Sequence, residues 1–362
     1  MTEREREIFD LIEANPMISQ AEIASLLAIT RTSVAVHISN LVKKGHIMGK
    51  GYVIAYSHPV TVIGGANVDI QGKSNENLLM EDSNPGVIKA SLGGVGRNIA
   101  DNICKFKLDT RLITAVGDDN EGLMVKDNAR LLGIDMEQSI TTAEHRTSTY
   151  LYVLDKQGEL VIAVSDMGIV EQLTPAYFQK LLVKIDHSPF TVLDANLPQE
   201  TIEYLANNLV KTKLVLDPVS ITKAVKAKVV LNKFYAAKVN KTEAEALTGL
   251  SLNNQEMIAE AGRQLVNSGI QRVFITLGSG GVYYQDNHQG FFRKAIKTKV
   301  INATGAGDAF TAAMIYGFCE NLNNEDLVDF CIGASTITLA DQETIASDLT
   351  IDNVNTIINN NQ

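Results

Sequence analysis

The stretch "NATGAGDAFTAAM", Asn302 to Met314, decides how the chain folds and what it holds. Two glycines flank an alanine, a carboxylate follows, and an apolar run comes after it. "KVIN" before it reads as the end of a strand, "ATGAG" as a loop, and "DAFTAAMIYGFCE" as a helix. The first N–H groups of a helix lack intrahelical partners and sit at the positive end of its dipole. Gly305 and Gly307 let backbone come close to a ligand, which makes a binding place for a phosphate or a developing oxyanion. Asp308 stands at the helix start, a position that favours the ionised form. A carboxylate there can take a hydroxyl proton while adjacent N–H groups hold a phosphoryl group. Taken alone, the stretch fits equally well an ordinary strand-to-helix turn capped by Asp308.

Two further elements point the same way. In "LGGVGRNIADNIC", Gly93, Gly94 and Gly96 allow close backbone approach. Asn98 there opens a helix with a side chain that both donates and accepts, which suits a polyhydroxylated ligand. Asp69 in "VIGGANVDIQG" lies just past the first strand, where ligands of open α/β sheets gather. The competing readings are a glycine-rich strand-to-helix turn and a turn aspartate.

Around these loops the chain from Val60 alternates short β-rich runs with helical stretches. "VTVIGG", "RLITAVG", "FTVLDA", "KLVLDP", "AAKVN" and "RVFITLG" are near-continuously apolar, as fully buried parallel strands are. The stretches between them are long enough for crossover helices, which predicts a doubly wound α/β sheet. Residues near 70–92 and 147–166 break that rhythm; the latter reads as a hairpin around Gln157-Gly158. Together they predict a small β lid over the strand ends, excluding water. No G-x-x-x-x-G-K-[ST] occurs, and neither "GGVGRN" nor "LGSGGV" fits G-x-G-x-x-G, so an anion site must be built differently.

Residues 1–57 read as a separate small domain ahead of residues 58–362. Ile8, Phe9, Leu11 and Ile12 share one face of a first helix that Asn15-Pro16 stops. Ser19 and Glu22 form the capping box of a second helix. "TRTSVAVHISNLVKKG" is a third helix, apolar at Val34, Val36, Ile38, Leu41 and Val42, and "HIMGKGYVIA" is a hairpin around Gly49 and Gly51. This order resembles the winged helix-turn-helix of bacterial regulators. The resemblance implies that Arg31, Thr32, Ser33 and His37 meet DNA in the major groove, with Lys43, Lys44 and Lys50 near phosphates. The alternative is a module for dimerisation or docking, because this segment has no net charge: six Lys/Arg against six Asp/Glu.

The 362 residues carry a formal charge of −10, which excludes a broad nucleic-acid surface on the remainder. Cys104, Cys319 and Cys331 are too few and wrongly spaced for a disulfide framework or zinc site. The charged N-terminus and the lack of any long apolar run predict a cytoplasmic protein with no membrane span.

In order and spacing, Asp69 after the first strand, GGxGxN, N-x-x-E and the late GAGD resemble the PfkB/ribokinase family of carbohydrate and nucleoside kinases. The resemblance covers roughly residues 60–345. It implies a ribokinase-like fold, ATP as phosphoryl donor, Mg²⁺ and a homodimer formed through the lid. Carried over by residue, Asp308 is the base, and Gly305, Ala306 and Gly307 form the anion hole. Asn240 and Glu243 of "KVNKTEAE" organise magnesium, through water, and the phosphates. Thr276, Gly278 and Gly280 of "FITLGSGG" line the nucleotide. Asp69, Gly93, Gly94 and Asn98 hold sugar hydroxyls. Asn302 and Ala303 replace the Asp and Thr of the common D-T-x-G-A-G-D, which leaves a monovalent-cation requirement open. "GGVGRNIA", "NATGAGDAF", "DANL" and "LDPVS" are similar to the pseudouridine kinase branch, which implies phosphorylation of pseudouridine at its 5′-hydroxyl. Thr149, Asp166 and Asn196 are then candidates for ribose or uracil contacts. Their plainer roles are strand pairing and turn capping. A kinase for ribose or another nucleoside, and a regulator that senses a nucleoside or sugar through a kinase-like domain, are the other functions compatible with the sequence.

Overall fold

The apolar runs become parallel strands because only a sheet covered on both faces takes every residue of such a run out of water. The computed structural model describes residues 1–48 and 58–361. Strands Thr110–Ile113, Val60–Ile63, Phe190–Asp194, Lys213–Asp217, Phe234–Asn240 and Arg272–Thr276 lie side by side in that order, all parallel. Val282–Asp286 and Gly290–Arg293 then add antiparallel strands to complete a sheet of eight. These two edge strands escape an apolar-run search because they carry Gln285, Asp286 and Arg293. The tail of "RLITAVG" leaves the main sheet, and Ala115–Gly117 pairs instead with Ile140–Thr142.

Successive strand residues feed two cores. Val62, Val192, Val215 and Phe274 pack on one face, and Ile63, Leu193, Leu216 and Ile275 on the other. The strand order reverses between Val60–Ile63 and Phe190–Asp194. A crevice opens at the carboxyl ends of the strands at such a point.

A second sheet of four strands runs Gly86–Gly93, Asn67–Ser74, Thr149–Leu154, Leu160–Asp166. It is the predicted lid. Both of its edges are largely exposed.

The chain divides into two compact units, Met1–His58 and Pro59–Gln362. In the first, helices Glu3–Ala14, Gln20–Leu26 and Arg31–Lys43 close on Ile8, Ile12, Ile23, Val34, Ile38 and Leu41. Ser19 and Glu22 make the expected capping box, and Thr2 with Glu5 makes another. Val36 and Val42 are exposed rather than packed, because they fall off the stripe set by Val34, Ile38 and Leu41. Lys44 is bound to the buried Glu5 at 2.6 Å. Lys50 and the hairpin around Gly49 and Gly51 lie outside the described residues. No single helix among the described residues is long and apolar enough to cross a membrane.

Candidate active site

The helix of the opening stretch runs Ala306–Cys319, beginning two residues earlier than the sequence suggests. Asp308 is therefore the third residue of its first turn, and Ala306 and Gly307 contribute first-turn N–H groups without helical partners. Gly305 caps this helix at φ 84°, in the left-handed region, and a Cβ there would collide with the Thr344 carbonyl oxygen. Only glycine fits. The helix is apolar on all sides and buried nearly throughout from Asp308 to Phe318, so it cannot shift without disturbing the core.

Two cavities share this turn as a wall. One, of about 540 Å³, is lined by Asp69, Gly94, Asn98, Tyr150, Asn196 and, from the turn, Gly305 and Asp308. The other, of about 280 Å³, is lined by Thr276, Gly278, Phe310, Ser335 and, from the turn, Ala306 and Gly307. Residues three apart on a helix share a face, so Gly305 and Asp308 address one space while the two between them address the other.

Carboxylates and one lysine crowd beneath the turn. Phe190–Asp194 and Lys213–Asp217 each end on an aspartate, and the two are register partners. Asp194 accepts from the N–H groups of Gly65 and Asn196, both at 2.8 Å. Burial pushes Asp194 up to about 6. Asp217 accepts from Thr311 Oγ1 at 2.8 Å and pairs with Lys238 Nζ at 3.0 Å. Lys238 reaches directly under the turn, since a Cβ on Gly307 would lie 3.1 Å from its Nζ. Burial alone would lower the Lys238 ammonium, but Asp217, Glu243 and Asp308 outweigh it and hold it above its ordinary value.

Asp308 accepts from Asn98 Nδ2 at 2.8 Å. Burial first, and the charge of Asp217 next, push it up to about 7, against the pull of Lys238 and the Asn98 bond. The helix start therefore does not leave this carboxylate in the ordinary acidic range, as its position alone suggests. Desolvation is the larger effect.

A cavity on each side of a helix-start turn whose N–H groups lack helical partners, with a titratable carboxylate between them, is an arrangement suited to group transfer. The pfkB family carbohydrate kinase model matches residues 57–351. The chain belongs to the pfkB family of carbohydrate kinases. It is thus an ATP-dependent phosphotransferase of the sugar and nucleoside kinase type, with a ribokinase-like fold. Residues 1–48 match the winged helix-turn-helix DNA-binding model. An uncharacterized sugar kinase of Escherichia coli K12 is 32% identical over 99% of both chains. The pseudouridine kinase of the same organism is 35% identical over 83% of this chain and 96% of its own. The solved carbohydrate kinase from Agrobacterium tumefaciens superposes with a TM-score of 0.75 at 28% identity, covering 83% of this chain and 96% of that one.

The structure gathers most of the kinase's sequence candidates, but not all, around these cavities. Asp69, Gly94, Asn98 and Asn196 line the larger one. Burial raises Asp69 although Asn67 donates to it at 2.6 Å. Asn98 lies in the second turn of helix Val95–Lys105 rather than at its start. Gly93 stands behind the cavity wall, where a Cβ would press on Asp69 at 2.5 Å.

Thr149 and Asp166 are not among the lining residues. They pair with each other in the lid, while Tyr150 and Ser165, the next pair along, line the cavity. Alternate strand residues face opposite ways, so the lining face of these strands carries their neighbours. Asn196 is held by Lys223 Nζ at 2.6 Å.

In the smaller cavity Thr276 and Gly278 are lining residues, whereas Gly280 sits within the tight turn Gly278–Gly280. Asn240 and Glu243 line neither cavity; they form the capping box of helix Lys241–Thr248, with Glu243 buried. Among the described residues no group of three or more His, Cys, Asp or Glu is placed to hold a metal ion. Asp194, Asp217, Lys238 and Thr311 were not singled out in the sequence. For the three charged residues a signal was available: a charge ending or interrupting an otherwise apolar strand, near the carboxyl edge where ligands bind.

Proposed function

We propose that this kinase phosphorylates the 5′-hydroxyl of a nucleoside, pseudouridine first among them. The observation that carries the reading is the shared wall: Gly305 and Asp308 face a polar cavity while Ala306 and Gly307 face an apolar one. A nucleoside in the larger space and ATP in the smaller would meet across the turn. The likeness to the pseudouridine kinase of Escherichia coli K12, over 96% of that protein, supports the choice of nucleoside.

In this reading Asp308 takes the hydroxyl proton, and the first-turn N–H groups of Ala306 and Gly307 hold the transferring phosphoryl, with Gly305 shaping their approach. Lys238 adds a fixed positive charge beneath them. Charge stabilisation and positioning are what phosphoryl transfer asks of a protein. Asp69, Gly94, Asn98 and Asn196 hold the sugar and base, and Tyr150 and Ser165 of the lid close over them. Thr276 and Gly278 face the nucleotide. The donor set suits magnesium carried on phosphates and water rather than in a protein cage. Glu243, near enough to feel Lys238 and Asp217, and Asn240 would hold its waters. Magnesium, when bound, would supply neutralisation of the phosphate charge.

The N-terminal unit is proposed to contact DNA through Arg31, Thr32, Ser33 and His37. Thr30 caps their helix, and Arg31, Thr32 and Val36 stand exposed.

The test is purified protein with ATP and Mg²⁺ against pseudouridine, uridine, inosine and ribose, with ³¹P NMR to identify the product. A 5′-phosphate formed fastest from pseudouridine supports the reading. Tight nucleoside binding with no turnover of any of the four would replace it with a sensor.

A further inference from the structure

One buried cation lines neither cavity and has no part in the chemistry above. Arg97 lies in helix Val95–Lys105 at 6% exposure. A guanidinium so deep is tolerated only where its charge is matched and its donors are used. Nη2 donates to Asp101 Oδ2 at 2.6 Å, which matches the charge. Nη1 donates to the Leu92 carbonyl at 2.9 Å and to Asn98 Oδ1 at 3.0 Å.

The bond to Asn98 is the informative one. Adjacent residues on a helix do not face each other, so the Asn98 carboxamide is turned sideways to meet Arg97. The two ends of a carboxamide have nearly the same shape, and only their partners fix which is which. Here the oxygen is held by a cation and the nitrogen donates to Asp308 Oδ2 at 2.8 Å.

We infer that Arg97 is a positioning residue that locks the Asn98 carboxamide, so that its N–H end, and not its oxygen, is the end turned to Asp308. The inference rests on Asp308 being the base. One Asn98 N–H goes to the carboxylate, and the second is left for the oxygen of the acceptor hydroxyl. With the Asn98 oxygen turned to Arg97, the Asp308 carboxylate is the stronger acceptor for the hydroxyl proton. Without Arg97 the amide is free to turn over. Its carbonyl would then accept from a protonated Asp308 and hold the base in its inactive form. Asp217 and Asp194 already favour that protonated form, and Lys238 opposes it.

Two variants test the lock. Arg97→Lys keeps a charge beside Asp101 but loses the planar fork. Arg97→Met combined with Asp101→Asn removes the pair without stranding a buried carboxylate, and Asp101→Asn alone is its control. A misdirected reacting group costs on the order of 100-fold in rate, so kcat of the double variant should fall roughly 10- to 100-fold with KM for ATP unchanged. The acid limb of kcat should move up by roughly 0.5 to 1 pH unit, since the ionised base has lost an oriented donor. In an Asn98→Ala background the Arg97 change should cost nothing further. Losses that add to those of Asn98→Ala, or a uniform drop with no movement of the limb, would overturn the inference and leave the kinase reading standing. A wild-type protein that turns over no substrate would sink the kinase reading instead. The lock is then judged from the free protein. The Asn98 side-chain amide protons should exchange slowly in the wild type and quickly in Arg97→Lys, and equal protection in both would refute it.

Discussion

The two cavities that meet at the Gly305–Asp308 turn differ in their lining: the larger mixes polar and apolar groups, and the smaller is mostly apolar. The larger collects Asp69, Asn98, Asn196 and Asp308, side chains that can read hydroxyls and amides. The smaller is walled by Val282, Ile296, Phe310, Ile332 and Leu339, with Thr276 and Ser335 as polar accents. A polyhydroxylated acceptor needs directional partners, whereas a flat heteroaromatic base needs apolar walls and few hydrogen bonds. The difference shows why one turn can serve both. Its N–H groups are backbone, so the identity of each wall is set by the side chains that flank it.

Changes at the shared wall should break both sides at once. Asp308→Asn is expected to lower kcat by roughly 100- to 10,000-fold, the range for loss of a positioned base, with both KM values nearly unchanged in steady-state assays. Lys238→Met should cost roughly 10- to 100-fold in kcat, as loss of one charge aimed at the transferring group does. It should also move the acid limb upward, because Lys238 is what holds Asp308 down. Changes on one side should separate the two. Ala303→Leu narrows the smaller cavity and should raise KM for ATP by roughly 10-fold or more with KM for the nucleoside unaltered. Tyr150→Ala should do the reverse.

The pH dependence of stability sharpens the contrast further. Asp308 stands at about 7 in the folded chain against an ordinary 3.8. Between those values the native state binds more protons than the unfolded one, so stability falls as pH rises through the window. At roughly 1.4 kcal/mol per pKa unit, Asp308→Asn should be the more stable protein at pH 8 by a few kcal/mol, with the gap closing near pH 4 in thermal melts. Arg31→Ala, in the other unit, should leave turnover alone. It should weaken DNA binding by roughly 1–3 kcal/mol and relax sequence preference at the contacted base pair in gel-shift titrations, as loss of an arginine at a base edge does.

Much of this was legible because motifs are contiguous. Gly93 to Asn98 runs from a strand into a helix, and Gly305 to Asp308 from a loop into a helix, since residues 299–302 do not form the expected strand end; in both, sequence order and spatial order coincide. The buried group beneath them was not legible in that way. Asp194, Asp217 and Lys238 come from three different strands, and only the parallel register stacks them. Thr149 and Asp166 stand one position off the lining residues Tyr150 and Ser165, because a lid strand sorts its faces by single positions and the sequence does not say which face looks inward. N-x-x-E was legible as a pattern, yet the structure shows that the same four residues also close a capping box. A cap and a ligand platform need the same residue types at the same spacing, so spacing alone cannot separate them. Asn98 lines the larger cavity, as the motif suggests, but the sequence gives no sign that its oxygen is engaged by the neighbouring Arg97.

The most direct measurement is a crystal structure of the ternary complex with a non-hydrolysable ATP analogue and pseudouridine. The account predicts the terminal phosphate on the N–H groups of Ala306 and Gly307, and the 5′-hydroxyl within hydrogen-bond reach of Asp308, about 2.6–3.2 Å. The base of ATP should lie against Phe310 and Leu339. Nucleotide in the larger cavity, or a nucleoside whose 5′-hydroxyl points away from Asp308, would contradict it.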